Sequence, residues 1–351
     1  MNIKLWFVFS IIPILLSGCS KVSDGALEKV QNKRDLVESV APIIPIETDV
    51  ILSGLIDFFI VDNIFIVVDI KSLDKGIHLF DKEDYKHLCS VGTIGKGPGE
   101  ISYYGKPMPV YDSRKFWMFD HGKLVVYEFD LDNNICEVHY LPKPRYEFSR
   151  TGFLSGVDKI LDEEIAIGRG IIPTSAGTYK ETIARYNFVT GEFDPFGYTH
   201  PDSQNDFARS QFAISKENKI YVRTLSTMDL MTICDLDGNL KYNIYGPLWG
   251  DSSRERIKKR YFRGVKIAGN YILASYLGDQ YIEFDQHKRQ IGVGANQLIV
   301  FDTEGTYIKT LDLGEEIDSF VVDEQNNRII VSFTERTPSL GYFDLTFDLH
   351  E

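Results

Sequence analysis

IDFFIVDNIFIVVD, residues 56–69, reads as two short strands joined by a polar turn at Val61-Asp62-Asn63. The β-branched and aromatic side chains on either side are those that fit a pleated, buried surface. Beyond it, IHLFDKED (77–84) is a strand running into an acidic turn, and YKHLCSVG (85–92) is the strand that leaves that turn. Four short strands separated by turns make one antiparallel sheet.

The pattern recurs about every 50 residues, the repeat length of a four-stranded propeller blade. The second strand reappears as FWMFD (116–120), IAIG (165–168), KIYVR (219–223), YILAS (271–275) and RIIVS (328–332). The third, with its acidic turn, reappears as LVVYEFDLDNN (124–134), IARYNFVTGE (183–192), MTICDLDGN (231–239), LIVFDTEG (298–305) and LGYFDL (340–345). Six such units predict an all-β chain folded as a six-bladed β-propeller of four-stranded antiparallel blades. A pair of β-sandwiches is the alternative, but it does not account for six like units. The sixth unit runs out of chain after its third strand. PIIPIETDVIL (42–52) is therefore expected to close the ring by supplying the missing outer strand. The propeller domain is read as 42–351.

The chain opens MNIKLWFVFSIIPILLSGCS, with Lys4 before an apolar run from Leu5 to Leu16. That run is short of the roughly 20 residues a permanent membrane span needs and has the length of a signal-peptide core. Leu16-Ser17-Gly18-Cys19 resembles the lipobox of bacterial lipoproteins. The resemblance implies a signal peptide over 1–18, cleavage before Cys19 and acylation of that cysteine. Ser20 rather than Asp after the cysteine points to the outer membrane, on its periplasmic or its surface side. Several acyl chains make a stable membrane anchor. Residues 19–41 are read as a lipid-anchored tether, of which 26–40 can form a short amphipathic helix.

The net charge of −13 and pI near 5.1 argue against nucleic-acid binding, which needs a basic field. Cys89, Cys136 and Cys234 show neither CxxC nor zinc spacing. They read as buried or strand-borne thiols, with at most one disulfide among them.

GTIGKGPGEI (92–101) lies between the first and second units. It lacks the GxxxxGK[ST] of a phosphate loop, and no helix pattern follows it. It resembles the G-x-G-P-G-E connector of TolB-like or NHL-like six-bladed propellers found among Bacteroidetes-type lipoproteins, carried here by Gly95, Gly97, Pro98, Gly99 and Glu100. Its expected role is structural: the glycines let the chain cross to the next blade, and Glu100 caps backbone N–H groups.

No HExxH, GxSxG or EF-hand spacing occurs, and no catalytic residue, metal ligand or cofactor is assigned. DLDGN (235–239) and LDNN (131–134) are read as solvated turns. One segment breaks the acidic trend: SRERIKKRYFRG (253–264), read as a solvated helical turn or as an anion-binding lip built on Arg254, Arg260 and Arg263. The connection from 276 to 296 is long for a propeller, and long loops on rigid scaffolds often carry function. Tyr276, Tyr281 and Arg289 on it, with His121 from the second unit, complete the candidate ligand-binding set. The expected function is a cell-envelope binding or interaction module with a protein or glycan partner. The alternative is a propeller lyase or hydrolase acting at the central channel.

Overall fold

A computed structural model of the protein describes residues 27–147, 153–162, 164–175, 178–203, 210–250, 259–281, 293–333 and 336–351. Before the first blade come three short strands, β1 (Glu28–Val30), β2 (Val37–Ser39) and β3 (Ile44–Pro45). Blade I is β4 (Ile56–Val61), β5 (Ile64–Asp69), β6 (Lys75–Asp81) and β7 (His87–Thr93). Blade II is β8 (Tyr104–Pro109), β9 (Lys115–Asp120), β10 (Val125–Asp130) and β11 (Lys143–Glu147). Blade III is β12 (Phe153–Gly156), β13 (Ile165–Ser175), β14 (Thr178–Asn187) and β15 (Phe193–Pro195). Blade IV is β16 (Ser210–Ser215), β17 (Ile220–Leu225), β18 (Leu230–Asp235) and β19 (Leu240–Tyr245). Blade V is β20 (Lys259–Ala268), β21 (Tyr271–Tyr281), β22 (Ala295–Asp302) and β23 (Tyr307–Ile317). Blade VI is β24 (Ser319–Asp323), β25 (Arg328–Ser332) and β26 (Leu340–Asp344), with β3 as its outer strand. The ring is a six-bladed β-propeller closed by the N-terminal strand: Ile44 pairs with Tyr342 and Pro45 with Gly341.

The second strands read as unbroken apolar runs because both of their faces are buried. In β5, Ile64, Ile66 and Val68 pack toward blade II against Phe116, Met118 and Phe129. Phe65 and Val67, on the other face, pack toward blade VI against Ile330 and Leu340. Comparable clusters fill the seams between blades II and III, III and IV, IV and V, and V and VI. A buried side chain of this kind contributes ~1.5–3 kcal/mol. The stability of the ring therefore lies in its six seams rather than in a single centre.

The acidic turns are self-capped. Asp235 accepts N–H groups from Asp237 (3.0 Å) and Asn239 (2.8 Å). Asp81, Asp130, Asn187 and Asp302 each accept the N–H two residues on. This is the Asx turn that Asp and Asn favour.

One expectation is corrected, and the allowance of at most one disulfide is met. Residues 27–39 form neither a helix nor a free tether: β1 pairs in parallel with β19, and β2 in parallel with β23, as fifth strands of blades IV and V. Between them Arg34 enters the fold and pairs with Asp229. Cys89 and Cys136 form a disulfide across the outer edges of blades I and II, while Cys234 is a buried free thiol that burial pushes up to about 11.

Candidate functional site

The first strand of each blade lines the propeller axis, and on or just beyond four of them a charged residue stands between small or apolar neighbours. These are Asp57 on β4, Lys106 on β8, Asp158 just beyond β12, and Lys266 on β20. An unneutralised charge in such a strand is costly to bury, so its side chain must face water or a partner. Lys266 Nζ reaches from blade V to Asp158 Oδ1 of blade III, 2.5 Å away, past the whole width of blade IV. The pair borders a cavity of ≈ 190 Å³ on the axis, walled by Phe59, Ile60, Pro109, Lys159, Val321 and Glu324 among others. A second cavity of ≈ 260 Å³ shares Lys159, Ile267 and Glu324 with the first and adds Tyr111, Glu217 and His350. Both open at the end of the ring that carries the turns between first and second strands.

Electrostatics distinguish the two axial lysines. Burial works against the charge on Lys266, but the adjacent Asp158 carboxylate more than restores it, and its ammonium is held above the ordinary lysine value. Asp158 is correspondingly held below the usual carboxylate range: burial opposes its charge, and Lys266, Lys106 and Lys159 outweigh burial. Lys106 is the contrast. Its side chain is exposed to water, and no hydrogen bond or ion pair ties its Nζ to a described residue. Burial, with the charge of Lys266 added, pushes its ammonium down, partly offset by the nearby Asp57 and Asp158 carboxylates. Arg169 contributes further positive potential from blade III, though it is engaged with the Ser210 carbonyl and Glu181. The first strands thus bring to the axis a lysine with no bonded partner, Lys106, beside a second, Lys266, that borders the cavity; Lys106 itself lines neither cavity.

The residues singled out from sequence fall elsewhere. Cys19, Arg254 and Arg289 lie outside the described residues. Arg260 and Arg263 belong to β20 rather than to a helical turn, and Tyr281 closes β21 opposite Lys259. Arg263 is a brace between blades, donating to the carbonyls of Asp318 (2.7 Å) and Val293 (2.6 Å) and pairing with the Asp318 carboxylate. Arg260 donates to the Lys259 carbonyl. The Tyr276 hydroxyl is buried and donates to Asp229 (3.0 Å). His121 is exposed at a turn of blade II, edge-on to Phe119 and Tyr103. None of these side chains lines either axial cavity. In the connector, the Glu100 carboxylate accepts the Gly97 N–H (2.6 Å) and Gly99 adopts φ +72°, while Lys123 Nζ donates to the carbonyls of Gly97 and Glu100. Among the described residues no three His, Cys, Asp or Glu side chains gather to hold a metal ion.

Sequence reasoning missed the axial set, although a signal for it exists. GVDKI, GVKIA, IDFF and YGKPM each place a charge inside an otherwise apolar or small first strand. In a propeller, that position faces the axis.

No protein-family model matches the chain, and no curated protein matches it. Solved structures do. A member of the DUF4221 family from Bacteroides vulgatus is 12% identical with a TM-score of 0.59, covering 89% of this chain and 98% of that one. The calcium-binding protein regucalcin from Agrobacterium tumefaciens is 11% identical with a TM-score of 0.52, covering 90% and 99%. At these identities the likeness is one of fold.

Proposed function

We propose that this protein is a lipid-anchored propeller of the bacterial cell envelope that binds a small anionic ligand in its axial channel. The observation that carries the binding reading is Lys106, a cation held in the channel with no counter-ion bonded to it, next to a lysine that has one. A carboxylate, phosphate or sulfate group supplies the missing partner through a charge-assisted hydrogen bond. Lys106 lines neither axial cavity, but its neighbour Lys266 borders the one of ≈ 190 Å³, a volume that suits a small molecule or the terminal residue of a glycan rather than a folded partner. The net charge of −13 makes this inward-facing cation selective by position, since the outer surface repels anions. Envelope placement is supported by the Leu16-Ser17-Gly18-Cys19 sequence and by the Cys89–Cys136 disulfide, a bond at home in oxidising compartments.

The test is titration calorimetry of the purified protein with succinate, inorganic phosphate, sulfate and galacturonate. Saturable binding by at least one, weakened ~10-fold or more in Lys106→Met, is expected; tenfold corresponds to ~1.4 kcal/mol. Binding of equal strength in the variant, or by none of the four, overturns the reading. Metabolic labelling with an alkyne fatty acid, lost in Cys19→Ser, tests the anchor separately.

A further inference from the structure

The N-terminal strap over residues 27–39 leaves several apolar side chains exposed. Its inward-facing side chains are polar and engaged. Lys29 Nζ donates to the Glu304 carbonyl (2.7 Å) and lies 3.8 Å over the Tyr242 ring. Arg34 is buried against Asp229, and Glu38 pairs with Lys309 at 2.8 Å. Its apolar side chains point outward: Val30 is 68% exposed, Leu36 62% and Val37 55%, with Leu27 beside them. Between them stands the exposed Lys33–Asp35 pair. The outward side is thus mixed: Val30, Leu36 and Val37 form two exposed apolar spots, flanked by the exposed charges of Glu28, Lys33 and Asp35.

We infer that this edge, the outer rim of blades IV and V, lies against a lipid bilayer. The inference rests on the lipid anchor proposed above. The occupant follows from chain length. Leu27 is bonded to blade IV through the Asn243 N–H, so the strap is part of the propeller from that point. Seven residues, eight Cα-to-Cα steps, separate it from Cys19. Fully extended they span at most about 29 Å, less than a propeller's width. Acyl chains on Cys19 therefore hold blade IV at the membrane. The apolar rim is the part of the molecule that the tether brings closest to the lipid. The propeller then stands on edge, with its axis roughly parallel to the bilayer and both ends of the channel open to solvent.

The experiment uses the lipidated full chain in vesicles of phosphatidylethanolamine and phosphatidylglycerol, with acylation checked by intact mass. V30C, L36C and, on blade I across the ring, L73C are labelled with a bimane fluorophore, and doxyl-labelled lipid is added as quencher. Leu73 is 97% exposed and serves as the control. Quenching at positions 30 and 36 with none at 73 is expected. Equal quenching at all three sites, or none in an acylated sample, overturns the inference while leaving the anchor standing. A mass without acyl chains overturns the anchor reading and takes this inference with it. Protection of V30C by dimerisation in detergent-free solution, without lipid, overturns it in favour of a second copy as the occupant.

Discussion

Arg34 Nη1 lies 2.9 Å from Asp229 Oδ1, and the two side chains are 6% and 0% exposed. The other Asp229 oxygen accepts the Tyr276 hydroxyl and the Leu248 N–H, and the Arg34 guanidinium lies 4.9 Å over the Tyr276 ring. The strap is thereby locked into the seam between blades IV and V. Removing one partner of such a pair strands a buried charge, at a cost of ~3–5 kcal/mol. Arg34→Ala is expected to lower the free energy of unfolding, read from urea titration, by that amount. The double variant Arg34→Met/Asp229→Leu should recover part of it, because apolar replacement of a whole buried pair is often neutral. A loss below ~1 kcal/mol in Arg34→Ala would show that the strap is dispensable to the fold.

Cys89 and Cys136 close a loop of 47 residues between the outer edges of blades I and II. Chain-entropy arguments give such a crosslink up to ~4 kcal/mol, by restricting the unfolded chain. Cys89→Ser/Cys136→Ser should lower the urea midpoint accordingly. Reductant should destabilise the wild-type protein and leave the double variant unchanged. Alkylation with and without reduction, read by mass, should find Cys234 as the remaining thiol among these three. It should react only on unfolding, since it is buried.

The ring was legible in sequence because each second strand is buried on both faces and five of the six third strands end in an Asx turn, signals that need no partner to be read. The closing strand was legible because blade VI is one strand short. Arg34 was not: it sits in a polar stretch whose meaning depends on Asp229, 195 residues away. Tyr276 and Arg263 looked like ligand-binding groups because aromatic and basic side chains in a connector resemble a lip. Their actual partners, Asp229 and Asp318, come from neighbouring blades. Lys106 was passed over because one lysine among Gly, Pro and Met carries no motif. Its meaning appears once β8 is placed on the axis.

Lys106 links stability to binding with opposite signs. Its folded-state proton affinity is lowered by burial and by Lys266. Between that lowered value and the ordinary lysine value the unfolded chain binds more protons, so the contribution of Lys106 to stability rises with pH through that window. Below the window the charged amine is a net cost to the fold. Lys106→Met should therefore raise the urea midpoint at neutral pH while abolishing anion binding, the trade expected of a functional group held in an unfavourable place. Ligand affinity in the wild type should fall as pH rises through the same window, below the range where exposed lysines titrate. Destabilisation by Lys106→Met at neutral pH would show that the amine is a structural element instead.

Asp120 gives the acid side. It ends β9, is fully buried and accepts five hydrogen bonds, from the N–H and hydroxyl of Ser102 and the N–H groups of Tyr103, Gly122 and Lys123. Burial opposes its charge, but the Ser102 hydroxyl and these N–H groups outweigh burial and hold the carboxyl below its ordinary value. A lowered folded-state value means stability that is fully present above the unfolded carboxylate value and is lost as pH falls through the folded one. Bonds to a charged acceptor are worth ~1.5–3 kcal/mol each and are not additive. Asp120→Asn, which keeps the shape but has one acceptor oxygen fewer, should cost ~2–4 kcal/mol at pH 7, and less as the pH drops through the acid limb. Urea titrations at a series of pH values read both effects. Curves for wild type and variant that stay parallel down to the acid end would mean that the Asp120 charge contributes nothing, and that shape alone holds the turn.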